Sequence, residues 1–312
     1  VAGRFSLPQV GPAPIDWSNP ITKGMGAVLC MGLLYDPVSK KSLESGRTGT
    51  KRIVGKAGLG LGFGSTDGAG TTDKLLTSLV GSSGKRSYFV LAKANGWGGG
   101  GFGRLFEDTS IYQETLYLSS AVGMVYWRQF SGGQRTANIN NVTAISDLFG
   151  KVASYSVSFD ASSPSNQPEL YVNGTRYAFS TQDGTPSGTA NTTGSLCIGN
   201  RPSDSARNFD GTIYLVIPFD RMLSAAEHAS LAANPAQIFK AGYRVQYAPS
   251  ASPPQLLSPT GQLAGSTWMA STGGALYTCV DESAPDEADY TYTTTPGAWE
   301  EFTFPSGGAV SA

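Results

Sequence analysis

Apolar and polar side chains alternate through much of the chain, and that period of two predicts strands. KVASYSVSFD (Lys151–Asp160) sets Ala153, Tyr155, Val157 and Phe159 against Val152, Ser154, Ser156 and Ser158, so the first set marks a core face. GKAGLGLGFGST interleaves glycine with Leu59, Leu61 and Phe63, a strand with one bulky face. RSYFVLAK (Arg86–Lys93) reads as a central strand; VGMVYWRQF (Val122–Phe130), SLCIG (Ser195–Gly199) and GTIYLVIPF (Gly211–Phe219) extend the set. MGAVLCMGLLY (Met25–Tyr35) reads as one buried strand, followed by a polar loop, KKSLESGRTGTKR. In ELYVNGTRYAF (Glu169–Phe179), Asn173-Gly174 predicts a two-residue hairpin turn, because both residues tolerate positive φ.

One short helix interrupts this pattern. Ser224 and Glu227 have the spacing of a capping box, and Asn234-Pro235 ends the helix. Leu223 and His228 then occupy the two positions of a hydrophobic staple. His228 is the single histidine of the chain, so its position matters for any proton-transfer chemistry. No acid besides the adjacent Glu227 is placed to orient it as a base, and it reads as a partly buried ring pinning the helix. On that reading His228→Leu keeps the fold, with slightly higher stability.

The chain divides into an extended proline-rich arm (1–20), a β domain (21–247), a Pro/Ser linker (248–261) and a small β module (262–312). The module contains three strand-like runs, STWMAS, ALYTCV and AWEEFTF, and is too small to bury much core alone. The arm is expected to lie on a surface or to reach a neighbour.

Composition narrows the function. With 40 glycines and 14% charged residues in 312, a helical bundle is excluded and an all-β fold is favoured. A net charge of −1 without a basic stripe argues against nucleic acid, and no apolar run is long enough for a membrane span. No signal peptide is evident. Cys30, Cys197 and Cys279 lack metal-ligand spacing and read as buried reduced thiols, which suits folding in a cytoplasm. Three Asn-X-Ser/Thr sequons, at Asn141, Asn173 and Asn191, read as chance in so Thr/Asn-rich a chain.

From Asp160 to Pro235 the signals VSFD, LYVNGTRYAF, LCIGNR, FDGTIYLVIPFDRMLSAAE and LAANP follow one another in an order that resembles laminin-G-like, concanavalin-A-like jelly rolls. DWSNPITKGMGAVL is similar to the opening of such modules in bacteriophage virion proteins. AGSTWMASTGGALYTCVDESAPDEADYTYTT resembles a segment of phage structural proteins, carried by Trp268, Asp281, Glu282, Pro285, Asp286, Asp289 and Tyr290. The resemblance implies a two-sheet jelly-roll sandwich with one short closing helix and a small C-terminal β module. It also implies a non-enzymatic virion structural protein, a capsid decoration or tail-fibre component assembled in the host cytoplasm. Other virion proteins, further copies of the chain and a host surface glycan are the expected partners. A receptor-binding lectin of the adsorption apparatus is the alternative, and a polysaccharide hydrolase a more distant one.

Candidate chemistry is sparse. Glycan hydrolysis needs two carboxylates about 5–9 Å apart across the scissile bond. No predicted strand carries such a pair, and Glu107, Asp108 and Glu114 read as solvated acids around a loop. Nor does a nucleophile elbow accompany His228. No cofactor is expected; Asp67, Asp73, Asp204 and Asp210 could contribute to a structural calcium site, but they form no D-x-D-x-D-G run and no ion is predicted. NGWGGGGFGRL opens no helix, so its G-x-G-x-x-G registers do not indicate phosphate binding. It reads as a flexible loop presenting Trp97 and Phe102, whose rings either stack on sugars or tuck into the sandwich. Tyr112, Tyr117, Tyr126 and Trp127 carry the same two readings.

Overall fold

In the computed structural model of the chain, the strand Lys85–Ala94 is flanked on both sides by antiparallel partners, Val152–Asp160 and Gly211–Phe219. The structure describes residues 14–31, 34–43, 47–55, 57–64, 73–80, 84–110, 113–178, 186–191, 194–202 and 207–240, together with strands at 245–248, 267–270, 276–279, 302–303 and 309–311. Those three long strands centre a ten-stranded sheet, and a seven-stranded sheet faces it. Between them lies one apolar core, to which Ala153, Tyr155, Val157 and Phe159 all contribute. The fold is an all-β jelly-roll sandwich.

The hairpin forms as its sequence requires. Glu169–Val172 pairs with Thr175–Tyr177, and Asn173 and Gly174 sit between them at φ 49° and 75°. Gly174 is demanded twice over. A Cβ there would lie 2.6 Å from Ala229 Cα, so the turn packs against the closing helix at backbone distance. Gly174→Ala is therefore expected to destabilise the fold by about 2 kcal/mol through strain and displacement together. Gly150→Ala is the control, because φ there is also 75° but the space around it is open. A larger drop in the urea midpoint for Gly174→Ala than for Gly150→Ala checks the packing contribution.

The helix α1 (Val142–Ser146), capped by Asn141, was not expected from the sequence. The second helix, α2 (Ala225–Ala233), carries the complete Ser224/Glu227 capping box. It lies on the outer face of the ten-stranded sheet, where Leu231, Ile238, Ile15, Ile21 and Phe239 form a second apolar cluster with Phe89, Leu91 and Ile217. Ile15 bridges Phe239 in backbone pairing, so the described end of the proline-rich segment lies against the jelly roll.

Two further expectations are corrected. Met25–Tyr35 is not one strand: Leu29–Cys30 is a short strand against Gly211–Phe219, Met25 makes an isolated bridge to Phe219, and the chain then turns to pair Tyr35 with Cys30, with Leu34 at φ 50°. Burial keeps the turn as apolar as a strand, so periodicity could not separate them. The buried Asp36 fixes the turn by accepting the Val28 and Val38 amides, each at 3.0 Å. The polar loop after it contains edge strands, Lys41–Ser42, Arg47–Thr48 and Lys51–Gly55, where polar side chains are ordinary. Cys30 and Cys197 are unpaired and buried.

At the C-terminal end, Val245–Ala248, Thr267–Ala270, Leu276–Cys279, Phe302–Thr303 and Ala309–Ser311 form a five-stranded sheet. Val245–Tyr247 pair with Thr267–Met269. The acidic stretch Asp281–Tyr290 lies outside the described residues.

Candidate ligand-binding cleft

Two connections cross between the sheets at the same end of the sandwich. One is Asn95–Gly101, which leaves the strand Lys85–Ala94 for Phe102–Asp108; the other reaches Gly211–Phe219 through Asn208–Asp210. They are stitched together by backbone hydrogen bonds from Asn95 N to Asp210 O (2.8 Å) and from Gly99 N to Asn208 O (2.9 Å). Gly98 makes this contact feasible: at φ 79°, its missing Cβ would fall 2.4 Å from Asn208 O. The glycine-rich segment is thus a hydrogen-bonded turn laid against a neighbour, where the sequence suggested a flexible loop.

A cleft of about 300 Å³ opens between these connections and the turn at Ser120, lined by Trp97, Gly98, Gly99, Gly101, Ser120, Asn208 and Asp210. Its aromatic wall is Trp97, half-buried, packed against the main core and edge-on to Phe149 at 4.8 Å. The rest of the lining is polar or glycine. Asp210 accepts a hydrogen bond from the Asn95 side chain, although partial burial holds its carboxyl above the usual carboxylate range. Ser120 is exposed, and its amide bonds Gly101 O at 3.1 Å. Aromatic surface, a carboxylate, a hydroxyl and exposed backbone in one shallow cleft can receive a flat, hydroxyl-rich ligand.

The expected aromatics separate. Phe102 begins the strand bordering the cleft and carries the Arg207 guanidinium over its ring at 4.2 Å. Trp127 lies on the outer face of the seven-stranded sheet, paired with Thr115, away from Trp97. Tyr117 shares that outer face beneath Arg104, 4.1 Å from its ring centroid, whereas Tyr126 points into the core. Tyr112 lies outside the described residues. Asn208, Asp210 and Ser120 were missed as a group because nothing in the local sequence joins them.

The acids expected in a solvated loop are corrected most sharply. Glu107, Asp108 and Glu114 lie on two neighbouring strands and are fully buried. Glu114 faces the sandwich interior and accepts from Arg86 Nη1 at 2.5 Å, Tyr126 hydroxyl at 2.5 Å and Tyr88 hydroxyl at 3.1 Å. Burial, then the Glu114 carboxylate, pushes the pKa of both tyrosines up, so they stay phenols. Glu107 points to the opposite face, where Arg104 Nε (2.6 Å) and Arg201 Nε (3.1 Å) hold it. Two glutamates on opposite faces of a sheet cannot flank one bond.

His228 is also enclosed. It stacks on Tyr171 with centroids 3.8 Å apart, and its Nδ1 and Nε2 lie 2.9 and 2.8 Å from the hydroxyls of Ser156 and Ser158. Burial lowers its pKa to about 4, so the ring is neutral at pH 7. The expectation of a gain on His228→Leu does not survive: leucine would leave both serines without this partner. Among the described residues no cluster of three or more metal-ligating side chains occurs.

The fold and its end cleft define a jelly-roll sandwich with an aromatic-walled polar groove. No protein-family model matches the sequence, and no curated protein matches it. Among solved structures, it is similar to domain 4 of AbnA, a GH43 extracellular arabinanase from Geobacillus stearothermophilus, in complex with arabinotriose. That match has TM-score 0.48 and 14% identity, covering 67% of this chain and 98% of that one. The binding domain of Paraclostridial Mosquitocidal Protein 1 has TM-score 0.48 and 12% identity, covering 68% of this chain and 52% of the other. The binding domain of Botulinum neurotoxin DC, in complex with rat synaptotagmin II, has TM-score 0.48 and 10% identity with the same coverage. This chain spans about half the length of each toxin domain.

Proposed function

We propose that this chain is a non-enzymatic binding protein whose jelly roll takes a glycan in the cleft between Trp97 and Asp210. The observation that carries the reading is the cleft itself: an indole wall together with a carboxylate, a hydroxyl and backbone held by inter-sheet hydrogen bonds. Sugars present an apolar C–H face and a rim of hydroxyls, and such a groove meets both. A binding role rather than hydrolysis is supported by the lining, in which Asp210 is the one carboxylate among the described residues. Display of this module on a phage virion, with attachment to other virion proteins or to copies of itself, is supported by the resemblance of Asp16–Leu29 and Ala264–Thr294 to phage structural proteins.

The test is a glycan array probed with the purified protein. Binding is expected to fall at least tenfold in both Trp97→Ala and Asp210→Asn. Because Trp97 also touches the core, the isosteric Asp210→Asn, with an unchanged melting temperature, separates lost recognition from lost packing. Turnover of any arrayed polysaccharide would contradict the non-enzymatic reading.

A further inference from the structure

The rim of the cleft carries one guanidinium that no carboxylate among the described residues neutralises. Arg207 directly precedes Asn208, and its guanidinium lies over Phe102, which directly follows Gly101; Asn208 and Gly101 both line the cleft. The stack therefore borders the cleft. Among the described residues Arg207 has neither a carboxylate partner nor a hydrogen bond, and its Nε is buried without an acceptor. On the adjoining sheet face, Arg104 is stacked on Tyr117 and shares the single carboxylate of Glu107 with Arg201. Arg104 is 5% exposed, and its Nη1 is likewise buried without an acceptor.

A guanidinium held flat on an aromatic ring has lost much of its rotational freedom and presents a planar fork of donors. Forks of this kind match two-oxygen acceptors, and a charge-assisted pair is about twice as strong as a neutral hydrogen bond. Burying such a group without an acceptor is costly unless a ligand supplies one. We infer that the cleft is specific for acidic glycans, with Arg207 receiving the carboxylate or sulfate of one sugar while Trp97 and Asp210 hold a neighbouring neutral ring. This rests on the glycan-binding reading above and adds the class of sugar. Arg207 is its specificity-determining residue, and Asp210 acts as an acceptor for hydroxyls of the neutral ring.

The experiment uses the full chain on an array carrying neutral, uronic-acid and sulfated oligosaccharides, followed by calorimetric titration. Acidic glycans are expected to bind about tenfold or more tighter than their carboxyl-reduced or desulfated counterparts. Arg207→Gln should erase that preference while leaving affinity for the neutral counterpart and the melting temperature unchanged. Arg207→Lys should restore only part of it, because the planar fork is lost. The uronic-acid and sulfated arms identify which acid the fork prefers. Equal affinity for acidic and neutral forms would overturn the inference and leave the glycan site standing, as would an acid preference that survives Arg207→Gln. Absence of binding to every arrayed sugar would overturn both.

Discussion

Replacing Glu114 with alanine is expected to destabilise the fold by about 3–5 kcal/mol, a large share of the roughly 5–15 kcal/mol that holds a typical domain together. Its carboxylate is the only acidic group bonded to Arg86 among the described residues, and Arg86 is 2% exposed. Burial works against the Arg86 charge, and the Glu114 carboxylate together with Tyr88 and Tyr126 more than offsets it. The partners come from both layers. Arg86 and Tyr88 belong to the ten-stranded sheet, Glu114 and Tyr126 to the seven-stranded one, so the cluster fastens the sandwich at the end opposite the cleft. Without the carboxylate, a guanidinium and two phenols are stranded in the interior.

The more telling comparison is with the double replacement Arg86→Met/Glu114→Leu. Removing both charges exchanges an ion pair for apolar contacts, which in other proteins is often neutral or stabilising. The double variant should therefore be more stable than Glu114→Ala, with a clearly non-additive cycle. Urea unfolding at pH 7 measures it. A Glu114→Ala midpoint within error of wild type would show that the network does not fasten the sheets.

The second large effect concerns acid. Folded His228 takes up a proton near pH 4, against about 6.5 for an ordinary histidine, so between those values the unfolded chain binds the extra proton. Stability should fall as the pH is lowered from about 6.5 towards 4, by roughly 3 kcal/mol from this group, and level off below. Physically, protonation would place a charge against two serine hydroxyls and a tyrosine face, in a site closed by α2. His228→Gln should flatten that part of the profile and cost about 1–3 kcal/mol at pH 7 through imperfect replacement of the two hydrogen bonds. Chemical denaturation at several pH values gives the profile. A wild-type slope preserved in His228→Gln would assign the effect to another group. Glu227 contributes lower down: Arg221, foremost among its hydrogen-bond partners, holds its pKa at about 2, so its share of stability is lost only as the pH falls below about 4.5.

How much of this was legible in the sequence depended on whether the signal was local. Lys151–Asp160, the Asn173-Gly174 turn and the Ser224/Glu227 box each concern residues within one turn or one strand, and each forms as read. The serine face of Lys151–Asp160 was legible as polar but not as buried. Ser156 and Ser158 meet His228 across 72 and 70 positions of sequence. The buried acids failed for a related reason. Hydrophobic periodicity scores Glu114 as exposed, while Arg86, Tyr88 and Tyr126, which allow it to be buried, lie 28, 26 and 12 residues away. Of the cleft, Trp97 stood out as an aromatic among glycines, and Asp210 only as a possible calcium ligand. Ser120, Asn208 and Asp210 join it through two crossovers between sheets, and no spacing rule connects them.

The central claim is that the cleft beside Trp97 is where this protein meets its ligand. The most direct measurement follows backbone amide and indole resonances while the strongest-binding arrayed glycan is added to saturation. Shifts are expected at the Trp97 indole and at the amides of Gly98, Gly99, Ser120, Asn208 and Asp210, with the Trp127 indole unmoved. Shifts gathered around Trp127 and the outer sheet face, with the cleft silent, would contradict the account.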